Sequence, residues 1–141
     1  MADTTKKKVL FLCTHNSARS QMAEGLLKNL YGNKFDVYSA GTEPSRVNPF
    51  AIEAMKEMGI DISQNKSKNM ECFVGTEFDY AVTVCDNARE SCPAFPGAKN
   101  NIHKAFRDPS KFRGKDEEIL SGFREVRDEI KLWLEAEFHD Y

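Results

Sequence analysis

Cys13 and Arg19 stand six positions apart in Cys13-Thr14-His15-Asn16-Ser17-Ala18-Arg19-Ser20, between an apolar run at 9–12 and a helix-like stretch that follows. A loop joining a strand end to a helix start can turn its backbone N–H groups inward as a nest for an oxyanion. Arg19 adds a planar, bidentate guanidinium suited to a tetrahedral oxyanion. Asn16 tolerates the left-handed backbone that such a nest requires. The same field favours the thiolate of Cys13 over its thiol, and the Ser20 hydroxyl is within sequence reach of that sulfur. A nucleophilic thiolate beneath a bound oxyanion is the chemistry these residues predict. His15 either tunes that thiolate or is simply a loop residue. The loop is not a Walker motif, because Gly-x4-Gly-Lys is missing.

Two further thiols, Cys85 and Cys92, are seven positions apart. They read either as a redox pair or as unrelated thiols. A zinc site with His103 is disfavoured, because the short Cys-x2–4-Cys ligand spacing is missing. In a helix the two sulfurs would share a face about 10 Å apart, at ~1.5 Å rise per residue. A disulfide needs Cα atoms within roughly 7 Å, so closing one requires that segment to unwind. Asp108-Pro109 is an ordinary turn initiator, and its carboxyl is also the candidate general acid for a leaving oxygen. Cys72 reads as a spare buried thiol, and His103 and His139 as structural.

These residues need a scaffold that gathers strand ends. Residues 9–12, 35–40 and 80–84 are short β-rich runs, the last delivering Cys85, and 101–106 is a candidate fourth strand. Between them Met22, Leu26, Leu27 and Leu30 keep helical spacing up to Gly32, and Asn48-Pro49 opens a second helix that ends before Gly59. Residues 63–77 read as a loop with one helical turn near 69–73. From Asp116, with Glu117 and Glu118 suited to a helix start, Ile119, Phe123, Val126, Ile130 and Leu134 mark the longest helix. Alternating strands and helices predict an α/β fold, a central four-stranded parallel sheet flanked by helices, with ligands at the carboxyl ends of the strands. Cys13, Cys85 and Asp108 would then meet on one edge.

The 141 residues suit one domain over 1–141, with 1–7 a flexible lead-in, and 40% hydrophobic residues can fill a core. A net charge of −2 argues against a nucleic-acid binder, Lys6-Lys7-Lys8 being the only basic run. The apolar run after those lysines is too short for a signal peptide, and nothing approaches a membrane span. The chain is expected in the cytoplasm, where its four cysteines stay reduced unless a disulfide is catalytic.

With these residues assembled, the chain resembles the low-molecular-weight tyrosine phosphatase superfamily, and more closely its thioredoxin-coupled arsenate reductases. The likeness runs from about residue 8 to 138. It is carried by residues 13–25, by Val82-Thr83-Val84-Cys85 through Cys92-Pro93, and by Asp108-Pro109. The resemblance implies the flavodoxin-like fold of that superfamily and a three-thiol relay. Cys13 attacks arsenate held by the nest and Arg19 while Asp108 helps water leave. Cys85 attacks Cys13 and releases arsenite, and Cys92 attacks Cys85 to leave a disulfide for thioredoxin. It implies thioredoxin as external reductant and no bound cofactor; a monomer is expected, although the sequence leaves the oligomeric state open.

Two departures stand out. Ala18 occupies the position of a second loop cysteine in many relatives. Some relatives hold a monovalent cation near the counterparts of Asn16, Glu24 and Ser39, where an aspartate ligand is replaced here by Lys68, whose ammonium could take the cation's place. No metal is therefore expected. The competing functions are a phosphotyrosine phosphatase, which needs Cys13, Arg19 and Asp108 alone, and a thiol-based sensor or oxyanion-binding regulator.

Overall fold

The computed structural model describes residues 6–85 and 95–139. Four strands, β1 (Lys7–Cys13), β2 (Phe35–Gly41), β3 (Phe78–Thr83) and β4 (Ala98–His103), form one sheet in the order β2-β1-β3-β4. All three pairings are parallel. The helices are α1 (Arg19–Tyr31), α2 (Pro49–Lys56) and α3 (Asp116–Phe138), with 3-10 turns at Met70–Phe73 and Pro109–Lys111. The chain steps from β1 outward to β2, then crosses back to β3 on the other side of β1. That reversal opens a crevice at the carboxyl ends of β1 and β3, where ligands bind in open α/β sheets.

Alternation along the strands sorts the core into two layers. Val9, Phe11, Val37 and Val82 face the three helices, packing against Met22, Leu26, Met55, Phe123, Ile130 and Phe138. Leu10, Leu12, Ala40 and Ala81 face the other way. Among the described residues that second face is covered by the Met70–Phe73 turn and Phe95, through edge-to-face rings joining Tyr38, Phe73, Phe78 and Phe95.

The local signals act as their chemistry requires. Asn48 Oδ1 accepts from Phe50 N at 2.8 Å and Pro49 occupies the first helical position of α2. Asp116, Glu117 and Glu118 fill the first turn of α3. Asn69 caps the Met70–Phe73 turn. Two expected boundaries shift. Lys7, assigned to a flexible lead-in, is the first residue of β1 and pairs with Phe35. The fourth strand spans Ala98–His103 rather than 101–106, so Ile102 lies within it while Phe106 leaves the sheet to pack on Trp133. The expected unwinding segment between Cys85 and Cys92 lies outside the described residues.

Candidate active site

β1 ends at Cys13 and α1 starts at Arg19, and the loop between them is held from outside by its carbonyls. Thr14 O accepts from Glu43 N at 2.8 Å, and His15 O accepts from Ser45 N at 3.2 Å and Ser67 Oγ at 2.7 Å. Ser17 O accepts from Asn48 N at 2.9 Å. Peptide planes tethered outward by their oxygens turn their N–H sides inward, which is the geometry of an anion nest. Asn16 adopts the expected left-handed backbone at φ 49°. α1 begins with no side-chain cap, so its first turn opens onto the nest with the positive end of its dipole.

At the floor of the nest, Cys13 Sγ and Ser20 Oγ are 2.8 Å apart, and Ser20 Oγ accepts from Asn16 Nδ2 at 2.8 Å. Ser20 therefore has its proton available to donate to the sulfur. His15 is placed differently. Its Nδ1 bonds to the carbonyl of Glu43 at 2.9 Å, so the ring braces the loop at 42–45 and Ser20 is the group that touches Cys13.

Arg19 is buried with its guanidinium over the nest, Nη1 donating to Phe106 O at 3.3 Å and Nη2 lying 3.6 Å from Asp108 Oδ2. Asp108 caps the Pro109–Lys111 turn, Oδ1 accepting from Ser110 N at 3.0 Å and Ser110 Oγ at 2.7 Å. One carboxylate oxygen is thus anchored to its turn and the other is turned toward Arg19. A cavity of about 200 Å³ lined by Cys13, His15, Ser17, Ala18, Arg19, Ser45, Asp108 and Ser110 has its nucleophile at the bottom and the carboxyl at its wall. Among the described residues its lining carries no Phe, Tyr or Trp ring to hold a tyrosine side chain.

The sheet brings the second thiol to the first. Leu12 is in register with Thr83, and Val84 N donates to Leu12 O at 2.9 Å, so the chain after β3 continues alongside Cys13. Adjacent strands run about 4.8 Å apart. Cys85, fully buried, therefore stands one residue beyond the level of Cys13, in the same core layer. Cys85 is disulfide-bonded, whereas Cys13 and Cys72 are free. Cys92 lies outside the described residues. Cys72, expected to be buried, is exposed on the Met70–Phe73 turn.

Several contributors have no chemical signature in the sequence. The segment at 65–69 wraps the back of the nest: Lys68 N donates to Asn16 Oδ1 at 2.8 Å, and Gln21 Nε2 donates to Asn16 Oδ1 at 3.0 Å and Lys66 O at 3.0 Å. Behind it, the buried Glu24 accepts from Ser39 Oγ and pairs with Lys28 Nζ at 2.8 Å. Lys68 Nζ donates to Lys66 O at 2.9 Å. Burial pulls the Lys68 ammonium below its ordinary range, opposed by attraction to Glu24. Among the described residues, no group of three His, Cys, Asp or Glu side chains could hold a metal ion. No helix among the described residues is long and apolar enough to cross a membrane.

The low molecular weight phosphotyrosine protein phosphatase family matches residues 8–138. An arsenate reductase of Halalkalibacterium halodurans is 51% identical over 125 residues, spanning 89% of this chain and 90% of that protein. A solved arsenate reductase in a phosphate-binding state superposes with a TM-score of 0.80 at 36% identity, over 95% of this chain and 98% of the other. A thioredoxin-dependent arsenate reductase of Corynebacterium glutamicum matches with a TM-score of 0.70 at 27% identity, over 99% of this chain and 66% of that one. The expected fold and family are thus both found, and the chain belongs to the low-molecular-weight phosphotyrosine protein phosphatase family, among its arsenate reductases.

Proposed function

We propose that this protein reduces arsenate to arsenite through three cysteines and is returned to its reduced state by thioredoxin. The observation that carries this reading is the β1–β3 register, which runs the buried Cys85 alongside Cys13 in the same core layer. A phosphatase has no use for a second thiol there.

In the proposed sequence, the nest amides and Arg19 bind arsenate, and the Cys13 thiolate attacks arsenic. Asp108 gives a proton to the departing oxygen, which leaves as water and forms a Cys13–arsenic(V) adduct. The Cys85 thiolate then attacks the Cys13 sulfur. The sulfur–arsenic bond breaks with its electron pair going to arsenic, which departs as arsenite, and a Cys13–Cys85 disulfide remains. Attack by Cys92 on Cys85 restores the Cys13 thiolate, and two electrons from the thioredoxin dithiol reduce the Cys85–Cys92 disulfide. The reaction requires no bound cofactor or metal. We place the protein in the cytoplasm, where thioredoxin is available, and expect a monomer.

The Cys13, Arg19 and Asp108 arrangement would also support slow hydrolysis of aryl phosphates, since phosphate and arsenate share shape and charge. A lining without an aromatic ring among the described residues favours a free oxyanion over a phosphotyrosine side chain. The test is to add one equivalent of arsenate to fully reduced protein and map the disulfides by mass spectrometry. A Cys85–Cys92 disulfide with Cys13 free is expected, together with one equivalent of arsenite. Four free thiols, with release of phosphate from an aryl phosphate, would establish the phosphatase instead. Steady thioredoxin-driven arsenite formation that survives Cys92→Ser would refute the relay.

A further inference from the structure

The nucleophile lies at the end of a line of hydrogen bonds that starts 52 positions further along the chain. Asn65 Nδ2 donates to Gln21 Oε1 at 3.1 Å, and Gln21 Nε2 donates to Asn16 Oδ1 at 3.0 Å and to Asn16 O at 3.3 Å. Asn16 Nδ2 donates to Ser20 Oγ at 2.8 Å, which reaches Cys13 Sγ at 2.8 Å. Each side-chain amide could in principle face either way, because its oxygen and nitrogen are nearly isosteric. Two backbone groups of single polarity decide the matter. Lys66 O can only accept, and it lies 3.0 Å from Gln21 Nε2, which fixes the Gln21 amide. Lys68 N can only donate, and it lies 2.8 Å from Asn16 Oδ1, which fixes the Asn16 amide.

The consequence is directional. With Asn16 Oδ1 occupied by two donors, its Nδ2 must face Ser20. Ser20 must then accept from Asn16, and its single proton is left for the Cys13 sulfur. Reversing the Asn16 amide would present Oδ1 to Ser20, and the serine proton would go to Asn16 instead of the thiolate. Gln21 is fully buried in the first turn of α1 and its side-chain contacts all serve this line. A buried glutamine is costly unless its donors and acceptor are all matched, and here they are.

We propose that Gln21, oriented by Lys66 O and Asn65, is a positioning residue that joins Lys68 N in holding the Asn16 amide and so commits the Ser20 proton to the Cys13 sulfur. The proposal rests on Cys13 as the nucleophile of the preceding section and assigns no contact between Gln21 and substrate.

The experiment is the rate of Cys13 alkylation by iodoacetamide as a function of pH in reduced full-length protein. The rate is followed by peptide mass spectrometry with exposed Cys72 as internal reference, and alongside it is measured the protection of Cys13 by inorganic phosphate. Gln21→Met keeps the volume and removes the amide. Gln21→Glu keeps the shape and sets acceptor against acceptor at Asn16 Oδ1 and Lys66 O. Asn65→Asp reverses polarity at the half-buried far end, away from the core. In both Gln21 variants the Cys13 profile should move to higher pH, with alkylation at pH 7 slowed about five- to tenfold, the worth of one to two hydrogen bonds. Asn65→Asp should slow it about two- to threefold, with Cys72 unchanged in all three. Should the Gln21 variants fail to fold by circular dichroism, Asn65→Asp decides. A folded variant whose Cys13 profile matches the parent would overturn the proposal, as would weaker phosphate protection with no change in that profile, which would mark a packing role. The functional reading is judged separately. A parent that alkylates normally at Cys13 but makes no arsenite defeats the reductase and leaves the Gln21 comparison standing.

Discussion

A Cβ built on Gly41 would stand 2.6 Å from the carbonyl oxygen of Thr14. The same atom would lie 2.8 Å from Asn16 N and 2.9 Å from Cys13 O. Gly41 is the last residue of β2, in register with Cys13, and its own N donates to Lys68 O at 2.8 Å. The neighbouring strand thus ends in a residue without a side chain because the nest backbone occupies that space.

Gly41→Ala should consequently displace the nest rather than merely crowd it, since every atom it meets is backbone. Overpacking of this kind costs about 1–3 kcal/mol. We expect a lower Tm and a loss of at least about tenfold in phosphate affinity by calorimetry, the equivalent of about 1.4 kcal/mol. Unchanged affinity would mean that the loop can relax around a methyl group.

A second close approach connects α3 to the candidate acid. A Cβ at Gly122 would lie 2.1 Å from Phe112 Cδ2, and Phe112 follows the turn that Asp108 caps. Alanine normally gains about 1 kcal/mol over glycine inside a helix. Here the ring has to move, and Phe112 also lies under the Arg107 guanidinium at 5.6 Å. Gly122→Ala should therefore fail to stabilise the protein. It should also slow the step that needs Asp108 while leaving phosphate affinity within about twofold, a change of under about 0.5 kcal/mol. Single-turnover kinetics with arsenate, set beside phosphate titration, separate the two effects.

Cys13, Cys85, Arg19 and Asp108 were legible as candidates because their chemistry is tied to residue type and because the strand and helix patterns put Cys13 at the end of β1, Cys85 just past β3 and Arg19 at the start of α1. The support of the nest was not. It is built from backbone groups, such as Lys66 O, Lys68 N, Phe106 O and the bare Cα of Gly41, which every residue carries and no spacing announces. Gln21 left one faint trace, a polar residue next to Met22 at the start of an apolar helix. The fourth strand was misplaced for a related reason. Ile102 and Phe106 look like one apolar run, yet β4 is a largely exposed edge strand held by its pairing with β3, and Phe106 serves Trp133 and Arg19.

The end of α2 is tied to α3 through Glu57, which accepts from Arg124 Nη2 at 2.7 Å and Arg127 Nη1 at 3.3 Å. The Arg124 hydrogen bonds hold its carboxyl below the usual value of 4.5, with Arg127 adding to them. A depressed carboxylate contributes stability that is present above 4.5 and lost as pH falls through its folded value. The Tm difference between the parent and Glu57→Gln should accordingly shrink as pH is lowered below 4.5 and as salt is raised. A difference independent of both pH and salt would assign the effect to packing.

Lys68 gives a pH slope of the same sign from a different cause, burial of a cation rather than pairing of a carboxylate. Burial lowers its folded value from 10.5, so near the alkaline end the unfolded chain holds a proton that the folded chain has released. Stability rises with pH wherever the unfolded state binds more protons. The parent should therefore gain on Lys68→Met as pH climbs toward 10.5, read by urea unfolding at matched pH values. Attraction to Glu24 opposes the shift, which means that the ammonium also neutralises a buried carboxylate bonded to Ser39. Removing it leaves that carboxylate with Lys28, whose amine lies 2.8 Å away but is half-exposed and screened. Parent activity should be equal in potassium and sodium chloride, whereas Lys68→Met should lose oxyanion affinity and recover part of it in one of the two salts. No loss in either salt would show that Lys68 acts through its main-chain bond to Asn16 alone. A parent activated by potassium over sodium would show that the ammonium does not fill a cation's place.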